Sequence, residues 1–157
     1  MNRAVLMVED LADDTLLLQR SWRIEGVTVP LHCVSDGSKA IAYLAGTGEY
    51  SDREKFPTPC LILLDLKLPK LMGLEVLAWI RSNPEWKRIP VIVLTSSALQ
   101  KDVDEAYRLG ANAFLVKPSD VFQLGEMVRL IRDFWLRVNQ FPQISSNGND
   151  SHNDIRA

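Results

Sequence analysis

Five short apolar runs recur along the chain, Ala4 to Val8, Val29 to Val34, Leu61 to Leu64, Val91 to Leu94 and Ala113 to Val116, and each gives way to a stretch with helical spacing. Continuous runs of this length suit strands buried on both faces, and such strands occur where crossover helices cover both sides of a parallel sheet. The pattern predicts an α/β fold: a doubly wound, five-stranded parallel sheet with five helices. Pro30 would remove one ladder donor from the second strand, which suits an edge position. Asp13 or Asp14 is expected to cap the first helix, which runs to about Ile24. Asp36 starts a second helix that ends near Gly46 and Gly48. The charged stretch from Gly48 to Pro59 reads as a surface connection. A third helix carries Leu74, Leu77, Ala78 and Arg81, a fourth runs from Asp102 through Leu109 to a stop at Gly110, and the last runs from Ser119 or Asp120 to Val138.

With 157 residues and 46% hydrophobic content there is enough chain for one core. Residues 1–138 are expected to form one domain. From 139 to 157 Asn, Ser, Asp and Gly dominate, and a segment of that composition buries too little apolar surface to offset its ordering entropy, so it reads as a flexible tail. The net charge of -2, without any basic block longer than Lys87-Arg88, gives no support for binding nucleic acid or an anionic membrane. No run approaches a membrane span and the start lacks the pattern of a signal peptide, so a cytoplasmic protein is expected. Cys33 and Cys60 fall in or beside apolar strands and read as reduced core residues.

Right-handed crossovers bring the carboxyl ends of all the strands to one rim, where sheets of this kind bind their ligands. The residues that follow the strands are Glu9 and Asp10, Asp65, Thr95 with Ser96 and Ser97, and Lys117. Three carboxylates on one edge repel each other and call for a cation. Magnesium wants oxygen ligands: Asp10 and Asp65 can each offer one, a backbone carbonyl of the following turn a third, and Glu9 can hold a coordinated water. Once a cation offsets the negative field, Asp65 can attack a phosphorus centre to give an aspartyl phosphate. Lys117 supplies a point charge to the new oxygens and Thr95 a directional donor. If Thr95 moves toward them it vacates space, which Phe114 can fill by rotating inward, turning a local charge change into a change of surface shape. Each residue alone has a plainer reading: an aspartate after a strand often makes a cap or turn, and a threonine is a common strand former. Their convergence on one rim favours the chemistry.

Val8-Glu9-Asp10, Leu64-Asp65-Leu66-Lys67-Leu68-Pro69 with Gly73, Leu94-Thr95-Ser96, and Gly110-Ala111-Asn112-Ala113-Phe114-Leu115-Val116-Lys117-Pro118 together resemble the receiver domain of two-component response regulators, over about Arg3 to Val138. The resemblance implies a flavodoxin-like sheet of order 2-1-3-4-5. It also implies Asp65 as phosphoacceptor, Glu9 and Asp10 as the acidic pair, Lys67 as donor of a carbonyl to Mg2+, Thr95 and Phe114 as a switch pair, Lys117 as the site lysine, and a cis Lys117–Pro118 bond. The phosphoryl donor would be a phosphohistidine on a sensor histidine kinase, and the domain would catalyse both its own phosphorylation and its dephosphorylation. The long connection before Cys60, the turn from Leu66 to Lys70 and the lack of an output domain look most like stand-alone regulators partnered with bacterial phytochromes. Met72 replaces a common acid, and Phe114 lacks the hydroxyl of the commoner tyrosine. The side chain of Lys67 could lean over the acids or hinder an attacking water, and both possibilities stay open.

Receiver domains often pair through the face formed by the fourth helix, fifth strand and fifth helix, and the last helix here has a wide apolar stripe that includes Met127, Leu130 and Phe134. A homodimer through that face is therefore expected. A kinase contact would more readily use the first helix, with Leu16, Leu17, Leu18, Trp22 and Ile24. His32 and His152 read as structural or solvent-facing. The competing functions are a receiver-fold adaptor that is never phosphorylated and a magnesium-dependent phosphatase. The second lacks a separate general acid near Asp65 and a cap domain to exclude water.

Overall fold

The computed structural model describes residues 3–144. Strands β1 (Val5–Val8), β2 (Leu31–Val34), β3 (Leu61–Leu64), β4 (Val91–Thr95) and β5 (Ala113–Val116) form one parallel sheet in the order β2-β1-β3-β4-β5, as expected. Helices α1 (Ala12–Ile24), α2 (Gly37–Ala45), α3 (Gly73–Ser82), α4 (Gln100–Arg108) and α5 (Val121–Leu130) connect and follow them. No helix among the described residues is long and apolar enough to cross a membrane.

Side chains alternate across a strand, so each buried run feeds two cores. Leu6, Val8, Ile62, Leu64, Val91 and Val93 face the layer made with Leu44 of α2 and Val76, Leu77 and Ile80 of α3. Val5, Met7, Leu61, Leu63, Ile92 and Leu94 face the layer made with Leu18 and Trp22 of α1 and Val128 of α5. Every residue of β1 and β3 is buried. Each large apolar side chain so placed contributes on the order of 1.5–3 kcal/mol relative to exposure.

Several local expectations change. Helix α1 begins after Leu11, which makes no side-chain cap, and Asp13 and Asp14 lie inside its first turn, where the helix dipole favours acids. Strand β2 begins only after Pro30, and it is an edge strand. Asp36 and Asp120 cap α2 and α5 through hydrogen bonds from the backbone N–H groups of Lys39 and Gln123. Helix α4 starts at Gln100 rather than Asp102. The last helix does reach Val138, but Ile131–Val138 winds in wider, π-helical turns.

The connection before β3 is more than a surface loop. Tyr43, Tyr50 and Phe56 pack ring against ring beside His32, and Tyr50 is buried. Arg53 threads under them, donating to the carbonyls of Tyr43, Leu44 and Phe56, and so satisfies the end of α2. Residues 139–144 also meet the core: Phe141 packs on the α1/α5 layer with the Arg3 guanidinium 5.3 Å from its ring centroid, and Ile144 packs on the opposite layer. The rest of the expected tail, including His152, lies outside the described residues. Cys33 and Cys60 are free thiols, both half-buried.

Candidate functional site

Register decides which side chains meet at the rim. Val8 pairs with both Val34 and Leu64, so Glu9 and Asp65 leave the sheet side by side. The ladder continues past the strands: the Asp65 N–H donates to the Val8 carbonyl at 3.1 Å, the Glu9 N–H to Val34 at 3.0 Å, and the Lys117 N–H to Thr95 at 2.8 Å. The functional backbone is therefore held by sheet hydrogen bonds rather than by free loops. The loop after Asp65 folds back on itself at Gly73, where an added Cβ would sit 2.1 Å from the Asp65 carbonyl oxygen. A side chain there would push the Asp65 backbone out of place.

Asp65 is buried, and both of its carboxylate oxygens are engaged. Oδ1 accepts from the Thr95 hydroxyl at 2.9 Å and from the Lys67 N–H at 3.1 Å; Oδ2 accepts from the Lys117 ammonium at 2.9 Å. Lys117 also donates to Glu9 and, at 2.8 Å, to Asp14. Thr95 is wholly buried at the end of β4. Asp10 is exposed, and its N–H donates to Glu9 Oε2 at 3.1 Å. One carboxylate oxygen from each of Glu9, Asp10 and Asp65 lies within 4.8 Å of the others. That all-oxygen set suits a hard divalent cation.

Burial, the hydrogen bond with Asp65 and its negative charge push the pKa of Glu9 up to about 8 against the opposing pull of Lys117. Burial pushes Asp65 the same way, but hydrogen bonds from Glu9, Lys117 and the Lys67 N–H outweigh it and hold Asp65 below its ordinary value. Burial works to lower Lys117, yet its bonds to Asp14, Glu9 and Asp65 leave it raised, so it stays an ammonium. Without a cation one lysine thus serves three carboxylates, with a proton on Glu9 easing the excess. A dication would replace that proton.

Glu9, Asp10, Asp65, Thr95 and Lys117 all converge at the rim. Lys67 contributes its N–H to Asp65, while its side chain is exposed and forms no ion pair with Glu9, Asp10 or Asp65 among the described residues. Phe114 is half-buried on β5 opposite Val93, and Val116 pairs with Thr95, so Phe114 and Thr95 belong to the same face of the sheet. The Lys117–Pro118 bond is trans, contrary to the expectation drawn from the resemblance; trans is the form that a prolyl bond intrinsically prefers by about 0.5–1 kcal/mol. Ser97, which shares the Thr95 loop, donates to Asp102 at 2.5 Å and so ties that loop to the first turn of α4. Asp14 reads from sequence as a cap, yet it joins the site. Its signal is position: a helix starting directly after rim acids turns its first-turn side chains back toward that rim.

The comparisons agree with this geometry. The family profile described as "Response regulator receiver domain" matches residues 5–129. The response regulator Rcp1 of Synechocystis sp. is 43% identical over 140 residues, covering 89% of this chain and 93% of that protein. The crystal structure of a phosphorylated cyanobacterial phytochrome response regulator, RcpA, superposes with a TM-score of 0.82 at 39% identity, covering 91% of this chain and 100% of that one. A Mn2+-bound crystal form of Rcp1 superposes with a TM-score of 0.80 at 42% identity, covering 90% of this chain and 99% of that one. With the fold, the rim of acids and the matched span in agreement, this chain belongs to the response regulator receiver domain family.

Proposed function

We propose that this protein is a single-domain response regulator, in which Asp65 accepts a phosphoryl group from a histidine kinase of the phytochrome type and the phosphorylated form signals through protein contacts. The observation that carries the reading is the set of groups around one buried carboxylate: Thr95 and Lys67 on Oδ1, Lys117 on Oδ2, and two further acids within ligand reach of a shared cation. Relatives point the same way. RcpA was crystallised as a phosphorylated phytochrome response regulator, and others are bacteriophytochrome response regulators.

In the transfer, an Asp65 oxygen forms a bond to phosphorus as the bond from phosphorus to the donor's imidazole nitrogen breaks, and the imidazole leaves with the electron pair and takes up a proton. Glu9, Asp10 and Asp65, with the Lys67 carbonyl, would hold Mg2+, which when bound neutralises charge on the phosphoryl oxygens. Lys117 then pairs with one of those oxygens and the Thr95 hydroxyl with another. Thr95 already faces Asp65, so a small movement carries it to the phosphoryl group, and Phe114 follows into the space vacated. In dephosphorylation water attacks phosphorus as the Asp65 oxygen–phosphorus bond breaks, and phosphate leaves with the protons of the water while Asp65 returns as a free carboxylate.

The partner surfaces divide between two faces. On α1, Leu18 and Trp22 are buried whereas Leu16, Leu17 and Ile24 are exposed, and Leu11, just before the helix, is exposed next to the rim, which leaves apolar surface for a kinase. On the other side Leu99, Tyr107, Val116, Val121 and Phe122 are exposed around α4, β5 and the start of α5, a face suited to a homodimer. Residues 1–138 would act as the receiver and 139–157 as its appendage. The two free thiols suit a reducing cytoplasm.

Incubation with acetyl phosphate and Mg2+ followed by intact mass measurement tests this. One added phosphoryl group is expected in the wild type and none in Asp65→Asn. An unchanged wild-type mass, under conditions that load another receiver, would overturn the proposal; unchanged size on loading would remove phosphorylation-driven dimerisation.

A further inference from the structure

We infer that Asp14 is a positioning residue for phosphoryl transfer, holding the Lys117 ammonium in place while its other two partners change. The inference rests on the reading of Asp65 as phosphoacceptor. An ammonium has three N–H donors, and in Lys117 all three are taken, by Glu9, Asp14 and Asp65. These acceptors come from three elements: the end of β1, the first turn of α1 and the end of β3. Their fates on phosphorylation differ. Esterification of Asp65 moves negative charge outward onto the phosphoryl oxygens, so the donor aimed at Asp65 must turn to follow it. Glu9 belongs to the set that would hold the cation. Asp14 belongs to neither.

Asp14 is thus the one contact that can persist through the cycle. Its side chain is 32% exposed, against 1% for Glu9 and 5% for Asp65, so it sits at the mouth of the site and can keep its bond without following either buried acid. The helix supplies the rigidity: Asp14 is fixed on α1 by the packing of Leu18, one turn on, and of Trp22. A lysine has a long flexible stem, and placing its charge to within an ångström needs an anchor besides the groups that react. The neighbouring Asp13 lies in the same turn, is exposed and makes no ion pair with Lys117. It provides a control of equal charge.

The test measures the loading rate against acetyl phosphate concentration at saturating Mg2+, for the wild type, Asp14→Ala, Asp14→Asn, Asp14→Glu and Asp13→Ala. Anchoring predicts that Asp14→Ala lowers the maximal rate constant about tenfold, the scale of a modest misplacement, with half-saturation within about twofold. Asp14→Asn, which keeps a neutral acceptor, falls between Asp14→Ala and the wild type; Asp14→Glu recovers part of the loss; Asp13→Ala matches the wild type. If Asp14→Ala and Asp14→Asn behave alike, or all the acid removals shift half-saturation together, Asp14 acts only through its charge and the inference fails while the phosphoacceptor reading stands. A wild type that takes no phosphoryl group overturns both.

Discussion

The two ends of the sheet each hold a cationic side chain, and they hold it in opposite ways. At the amino-terminal end Arg81 of α3 donates to the carbonyls of Gly110, Lys87 and Ile89 and to the side-chain oxygen of Asn112, at 2.7–3.0 Å. All four acceptors are neutral, and burial lowers the pKa of Arg81. Its charge serves to tie α3, β4 and β5 together. At the carboxyl-terminal end Lys117 meets three carboxylates, with Asp10 close by as a fourth acid. The first network pairs one cation with neutral acceptors and gathers no excess charge. The second gathers more acids than one ammonium can offset, and the excess is eased by a proton on Glu9 or by a bound cation, so this end can exchange a partner where the other does not.

That contrast can be broken first at Lys117. Its replacement by Ala removes a fixed positive charge from the transferring oxygens, and the rate of Asp65 loading is expected to fall by about 10²–10³, the usual scale for losing one such preorganised contact. Stopped-flow or timed mass measurement with acetyl phosphate would read it. A loss below threefold would mean that the cation alone supplies the charge.

Arg81→Ala should do the reverse. It removes the Arg81 donors from the part-buried carbonyls of Gly110 and Ile89 and is expected to lower the unfolding free energy by about 1–3 kcal/mol in urea titration, while the folded fraction loads at the wild-type rate. A loading defect at full folding would join the two ends functionally and defeat the comparison.

Glu9 gives the contrast a pH dependence. Its folded pKa of about 8 exceeds its ordinary 4.5, so between those values the folded protein holds a proton that the unfolded chain has released. The Glu9 contribution to metal-free stability is therefore fully present below about 4.5 and is lost as pH rises through about 8. A cation competes for the same carboxylate, so Mg2+ affinity should rise with pH up to about 8, by as much as about tenfold per unit, and Glu9→Gln should flatten that slope. A slope unchanged in Glu9→Gln would place the linked proton elsewhere.

The smallest effect concerns the loop after Asp65. Lys70 has a φ of 65°, and the Leu71 N–H closes onto the Pro69 carbonyl at 2.8 Å across it. Lys70→Gly relieves that conformation and should raise stability by about 1 kcal/mol or less, partly offset by the greater freedom of the unfolded chain. A clear loss would show instead that the Lys70 contact with Asp36, 3.7 Å long and exposed at the lysine, carries weight.

Much of this was legible because strands announce their own ends. Glu9, Asp65 and Thr95 stand at or just beyond the last apolar residue of a buried run, and parallel register then brings Glu9 level with Asp65 and Thr95 within one residue of it. The order of the strands came from the resemblance, since periodicity does not say which runs are neighbours. Asp14 stayed hidden because an acid in a first turn has a sufficient local explanation as a cap. Tyr50, Phe56, Phe141 and Ile144 are single apolar residues in polar stretches, and no spacing rule finds a residue that docks alone. The expectation of a cis Lys117–Pro118 bond came from the resemblance alone, and the bond is trans, the isomer a prolyl dipeptide prefers.

Three carboxylates placed within ligand reach of one another call for a divalent cation. Calorimetric titration of the wild-type protein with Mg2+ at pH 8 tests this most directly. One ion per chain is expected, with affinity at least about tenfold weaker in Asp10→Asn and in Asp65→Asn, each of which removes one carboxylate from the ligand set. Absence of binding in the wild type, or undiminished wild-type affinity in both variants, would contradict it.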